Sequence, residues 1–209
     1  MKARRVKGLD PAAPLADELQ RIVAVRVDEV FGFMPQAADP GQVTALHDLR
    51  IATKRLRYVL EIGEGVFGPY AGTAIKRTKD LQDLLGEIHD CDVTLPRVLA
   101  LIERTRNEDV ATLLALATPG AEDLDPALSA DAPHAEAHRG LQVLATHLQA
   151  RRELLFARFL QAWEQLGREG LRARLEWATA ERRSHDGSAV TPSPSPSPSP
   201  SPSPSPSPS

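Results

Sequence analysis

Residues 46–61 read LHDLRIATKRLRYVLE: a histidine, four Arg or Lys and a tyrosine within sixteen positions. On a helical wheel, at about 100° per residue, the stretch divides into two faces. Leu49, Ala52, Leu56, Val59, Leu60 and, just beyond, Gly63 fall on one side. His47, Arg50, Lys54, Arg57, Tyr58 and Glu61 fall on the other, with Arg55 on the flank. Apolar positions at this period predict an amphipathic helix, placed here at about Val43 to Glu64. His47, Arg50, Lys54 and Arg57 recur at i, i+3, i+7 and i+10, so they form a ridge of positive charge about 15 Å long at 1.5 Å per residue.

A run of charge on one helix face is most often a solvated surface. Solvated faces, however, mix signs, because opposite charges four residues apart stabilise a helix and like charges destabilise it. No acid lies between Arg50 and Arg57, and on their own helix Lys54 and Arg57 are near only Glu61. The compensating charge must come from acids on a neighbouring helix or from an anionic ligand.

The rest of the chain also reads as helices. The first is expected at about Pro14 to Met34, with Leu15, Leu19, Ile22, Val23, Val30 and Phe33 on one face and Pro35 at its end. The glycine-rich GEGVFGPYAG region is expected as a loop. A third helix should run from about Thr73 to Arg106, kinked or broken near Thr94 by Pro96, with a weaker segment from Glu108 to Ala117. Residues 118–133, TPGAEDLDPALSADAP, suggest a mobile linker. A last helix is placed at about His134 to Arg183, with a break near Gly167 and Gly170. Aromatic residues are only 4% of the chain, which favours packed helices over a β-sandwich. The expected fold is all-α, an antiparallel bundle of about four long helices.

From Thr191 onward Ser and Pro alternate to the end of the sequence. Such a repeat has nothing to bury and is expected to be disordered. The organisation expected is a basic arm at 1–13, a helical domain at 14–185 and a tail at 186–209. The single cysteine, Cys91, permits no intramolecular disulfide, and no apolar stretch follows the basic N-terminus or approaches a membrane span. A cytoplasmic protein without a membrane partner is expected. The formal net charge is −3, so any anion site must be local.

On the third helix, Lys76, Asp80, Asp83, Glu87 and Asp90 share a mixed-sign face that could pair with the ridge. Ile75, Leu81, Leu84, Leu85, Ile88 and Leu95 read as its core side, with Cys91 at the edge, and Lys79, Gln82, Gly86 and Arg97 line a flank. Lys76, Arg77 and Lys79 add cations near its start. Gly86 inside a helix costs about 1 kcal/mol relative to Ala, which suggests close helix contact. On the last helix, Leu141, Leu144, Leu148, Leu155, Phe159 and Leu166 make the apolar stripe, with Arg151 and Arg158 at its edge.

Arg and Lys fixed along rigid helices suit a polyanion with regularly spaced charges, because guanidinium groups fork onto phosphate oxygens. His47 and the Tyr58 hydroxyl can donate to the same anion. The stretch LHDLRIATKRLRYVLE, followed by LQDLLGEIHDCDV, resembles the CHAD family, the conserved histidine α-helical domain. The family pattern H-x-x-R-x-x-x-K/R-R/K-L-R-Y/A is met by His47, Arg50, Lys54, Arg55, Leu56, Arg57 and Tyr58. The later pattern L-G-x-x-x-D-x-x-V is met by Leu85, Gly86, Asp90 and Val93. The resemblance implies a non-catalytic module that binds inorganic polyphosphate in a basic groove or pore, without catalytic residues, cofactor or metal, and that associates with polyphosphate granules. Carried over by motif, the ligands are His47, Arg50, Lys54 and Arg57, with Arg55 and Tyr58 beside them. Lys76, Arg77, Lys79, Arg151 and Arg158 are added on charge and position. Larger members contain two motif copies, whereas this chain has one, so a homodimer is expected to rebuild the paired arrangement.

Two rivals compete. His47-Asp48 and His89-Asp90 are His-Asp dipeptides of the sort used by metal-dependent phosphohydrolases. Neighbouring helical residues point about 100° apart, however, so each pair needs further ligands from elsewhere. His89 reads more simply as a surface or capped histidine, and Asp90 as an orienting acid for a basic residue of a neighbouring helix. Sequence-independent nucleic-acid binding uses the same phosphate physics. The lack of stacking aromatics beside the cations and the acidic net charge disfavour it.

Overall fold

The structure, a computed structural model, describes residues 2–117, 119–120 and 122–181. The Ser-Pro tail and the end of the last expected helix lie outside the described residues. The elements are α1 (Leu15–Ala37), α2 (Val43–Gly63), α3 (Tyr70–Leu116), a short 3-10 helix at Pro126–Asp131, α4 (Ala135–Arg168) and α5 (Leu171–Ala180). No strand occurs among the described residues, and none of these helices is long and apolar enough to cross a membrane. The fold is all-α, four long helices and one short one.

Consecutive helices pack on one another, α1 on α2, α2 on α3 and α3 on α4, with α5 closing against α3 and α1. The buried faces follow the 3.6-residue period. Val23, Val27 and Val30 of α1 meet Leu49, Leu56 and Leu60 of α2, Leu81, Leu85 and Ile88 of α3, Phe159 of α4 and Leu175 of α5. Phe31 of α1 lies against Trp163 of α4, with ring centroids 5.0 Å apart, which draws the first and fourth helices together. A smaller core, Val98 and Ile102 with Ala145, joins the far part of α3 to α4.

Two glycines set the connections. Phe67 is fully buried, and a β-carbon on Gly63 would stand 2.3 Å from its ring, so α2 has to end on glycine for the loop to enter the core. Gly170 takes φ of +67°, in the left-handed region that favours glycine, and separates α4 from α5. Gly167 remains inside α4.

Several expectations are corrected. α3 begins at Tyr70, within the expected loop, and continues through Pro96 to Leu116. At 1.5 Å per residue it is about 70 Å long. Pro96 is exposed, and its missing N–H removes one helix hydrogen bond, that to the carbonyl of Asp92. Close by, Asp92 binds Arg152 of α4 at 2.9 Å and holds α3 in place. Pro35 likewise lies inside α1. Leu15 and Leu144 are exposed, whereas Val27 and Phe156 are buried. Cys91 is in the core rather than at its edge. The expected linker carries the 3-10 helix, opened by the Asp125 carboxylate accepting the Ala127 N–H at 2.9 Å, and beyond it the His134 N–H donates to Asp109.

The basic arm is docked on α1. The Glu29 carboxylate, fully buried, accepts the Arg4 backbone N–H and pairs with Arg26, whose guanidinium also donates to the Arg4 carbonyl. A carboxyl group in the core requires such partners.

Candidate functional site

Three contacts define how α2 meets α3. The rings of His47 and His89 lie 4.7 Å apart. A β-carbon on Gly86 would meet Arg50 Nε at 3.6 Å. Arg57 Nε donates to Gln82 Oε1 at 3.0 Å. Numbers rise along one helix as they fall along the other, so the pair is antiparallel. On α3 the contacting residues, Gln82, Gly86 and His89, continue a row that starts at Lys79. That row repeats the i, i+3, i+7, i+10 spacing of His47, Arg50, Lys54 and Arg57.

The α2 ridge is therefore neither buried nor freely solvated. His47, Arg50, Lys54, Arg55 and Arg57 are all half-buried, while Tyr58 and Lys79 are exposed. Arg57 is held on both sides, by Gln82 and by Glu61 at 2.7 Å. Its guanidinium lies 4.6 Å from the Tyr58 ring centroid, and Lys54 Nζ lies 5.6 Å from the same ring. Both cations are within the range of attraction to an aromatic ring. His47 Nδ1 and Arg50 Nε are buried and have no hydrogen-bond partner among the described residues. A buried donor or acceptor left unmatched costs about 1–3 kcal/mol, and more when charged.

Several acids of α3 face α4. Glu87 accepts from Arg151 of α4 at 2.6 Å. Asp92, rather than Asp90, is the acid that orients a basic residue of a neighbouring helix, Arg152. Asp80, Asp83 and Glu87 line a cleft between α3 and α4 together with Arg77 and Arg158. This cleft carries more carboxylates than guanidinium groups and does not suit a polyanion. Asp80, Asp83 and Glu87 of the mixed-sign face therefore lie toward α4, while Asp90 stays near His89.

The candidate residues fall into two groups. His47, Arg50, Lys54, Arg57 and Tyr58 share the α2–α3 surface, with Lys79 one turn before Gln82 and Arg55 on the flank. The others lie toward α4. Lys76 is exposed, 3.9 Å from Asp80. Arg77 pairs with Glu169 at 2.7 Å, Arg151 pairs with Glu87, and Arg158 stands in the acidic cleft. Gly86 does not mark a tight backbone approach, since 3.6 Å is ordinary contact. It leaves space beside the Arg50 guanidinium.

His89 is the residue whose neighbour the sequence reading missed. It is half-buried and lies against His47. Burial holds its pKa below the ordinary value, assisted by the nearby His47 and Arg50 and opposed by Asp90 and Asp92. Its place in the row from Lys79 was the available signal. No group of three His, Cys, Asp or Glu side chains among the described residues is arranged to hold a metal ion. What the surface offers is a line of N–H and O–H donors, most of them cationic, which is the chemistry of binding oxyanions.

Residues 2–99 match the family model of the CHAD domain. No curated protein and no solved structure matches the chain. The matched segment holds α1, α2, the first part of α3 and every contact of the α2–α3 surface. Residues 2–99 therefore belong to the CHAD domain family.

Proposed function

We propose that the α2–α3 surface binds inorganic polyphosphate and does no chemistry on it. His47, Arg50, Lys54 and Arg57 are the ligands on α2, Tyr58 and Lys79 extend the row, and Arg55 supports it from the flank. The observation that carries this reading is the pair of buried, unpartnered polar atoms, His47 Nδ1 and Arg50 Nε, on a ridge near which Glu87 and Asp92 of α3 are engaged with α4. A phosphate oxygen accepting from Arg50 Nε would relieve the unmatched donor. Family membership of this segment supports the same reading. Polyphosphate presents charge at every phosphate and no bases, which suits a cationic row whose one aromatic ring, Tyr58, already lies beneath two cations.

One row contacts one side of a polyanion. A second copy related by a two-fold axis would bring a second row, and light scattering with and without polyphosphate tests this by a doubling of mass. A cytoplasmic protein with this affinity would concentrate at polyphosphate granules. Titration of the full chain with long-chain polyphosphate at low salt should give saturable binding without release of orthophosphate. Absence of binding, or hydrolysis with added Mg²⁺ or Mn²⁺ that His89→Ala abolishes, would overturn the proposal.

A further inference from the structure

His47 and His89 form an imidazole pair that no motif of either helix joins. Their rings are 4.7 Å apart and inclined by 41°. Arg50 is one turn along α2 and acts on His89 electrostatically. On α3 the nearby acids are Asp90 and Asp92, and on α2 there is Asp48. Asp92 is engaged by Arg152 of α4, which also donates to the Pro40 carbonyl in the α1–α2 turn. With Asp92 paired to Arg152, the guanidinium of Arg50 is the fixed cation that acts on the ring of His89.

We propose that His89 is a second anion ligand paired with His47, and that the pair takes up protons as polyphosphate binds, so that affinity rises as pH falls. The proposal rests on the polyphosphate reading above. In the free protein two imidazolium rings at this separation, beside a guanidinium, repel one another, and partial burial disfavours charge further. His89 is held below its usual pKa for these reasons. A polyphosphate chain laid along the ridge reverses that balance. Its oxygens stabilise the protonated rings and accept their N–H groups. By linkage, a ligand that raises a group's pKa binds more tightly at lower pH. Each unit of rise corresponds to about tenfold in affinity once the ring is fully protonated.

Calorimetric titration of the full chain with long-chain polyphosphate tests this, run at about pH 5.5 and about pH 8, on either side of the histidine range. Repeating it near pH 6.5 in two buffers of different ionisation enthalpy counts the protons taken up. The wild type should take up protons and bind at least about tenfold more tightly at the lower pH. His89→Gln should take up fewer protons and bind less tightly at the lower pH. His89→Arg, permanently charged, should restore tight binding and flatten the pH profile. Proton uptake by His89→Gln equal to wild type, or affinity independent of pH, would overturn the role of His89 and leave the polyphosphate reading standing. Absence of binding at both pH values would overturn both readings.

Discussion

Arg50 and Gly86 face each other across the α2–α3 seam, and a β-carbon at Gly86 would rest 3.6 Å from Arg50 Nε. That spacing is close enough to cover the nitrogen and too far to clash. It separates what helps the fold from what helps the site. Gly86→Ala should stabilise α3 by up to about 1 kcal/mol through helix propensity, seen as a higher Tm. The same methyl should reduce polyphosphate affinity by up to about tenfold, the worth of one hydrogen bond to a charged group. A variant that is more stable and binds less well is the expected outcome. Equal affinity would remove Arg50 Nε from the contact.

The arginines of the ridge should differ in the same sense. Arg57 holds Gln82 and Glu61, so Arg57→Ala should lower stability by about 1–2 kcal/mol in urea unfolding, as well as weakening binding. Arg50 Nε has no such partner. Arg50→Ala should leave stability within about 0.5 kcal/mol of wild type, while polyphosphate affinity falls strongly. Arg151→Ala, which breaks the pair with Glu87, should affect binding far less than Arg50→Ala does.

Charge contacts predict a salt dependence of defined size. In the proposed complex three cations of the α2 row, Arg50, Lys54 and Arg57, and Lys79 meet the polyanion. By the rule for single-stranded polyanions, about 0.7 per neutralised phosphate, log affinity should fall against log salt with a slope near −3. Lys54→Ala should reduce that slope by roughly one contact. A slope near zero would mean that binding does not run through these charges.

Without polyphosphate, His89 should make the fold less stable in acid. Its folded pKa is lowered by burial and by its cationic neighbours. Such a group destabilises the native state as pH falls below the unfolded histidine value of about 6.5, and the effect is absent above it. The sign follows because the unfolded chain binds the proton first. Thermal melts between about pH 8 and about pH 5.5 should show a smaller loss of Tm for His89→Gln than for wild type. An equal loss would place the acid sensitivity in other groups.

The sequence was most informative where one helix could be read alone. The wheel of residues 43–64 separated core from ridge correctly because burial follows a 3.6-residue period, and Leu49, Leu56 and Leu60 are fully buried as expected. Breaks were less legible. Pro96 reads as a stop, but a proline inside a helix removes one hydrogen bond while the Asp92–Arg152 pair keeps the helix in place. Partner choice was not legible at all. Whether Glu87 answers Lys54 on α2 or Arg151 on α4 depends on tertiary placement, which periodicity does not encode. The buried Glu29 beneath the N-terminal arm depends on a contact 25 residues away in sequence. His89 was within reach, since Lys79, Gln82, Gly86 and His89 repeat the spacing of the α2 ridge.

The most direct test of the central claim is a competition titration. The full chain is saturated with fluorescent long-chain polyphosphate at low salt and challenged with single-stranded DNA at equal phosphate concentration. The account predicts that unlabelled polyphosphate displaces the probe, that DNA does not, and that the Arg50→Glu, Lys54→Glu variant never takes the probe up. Displacement by DNA as effective as by polyphosphate, or undiminished binding by that variant, would contradict it.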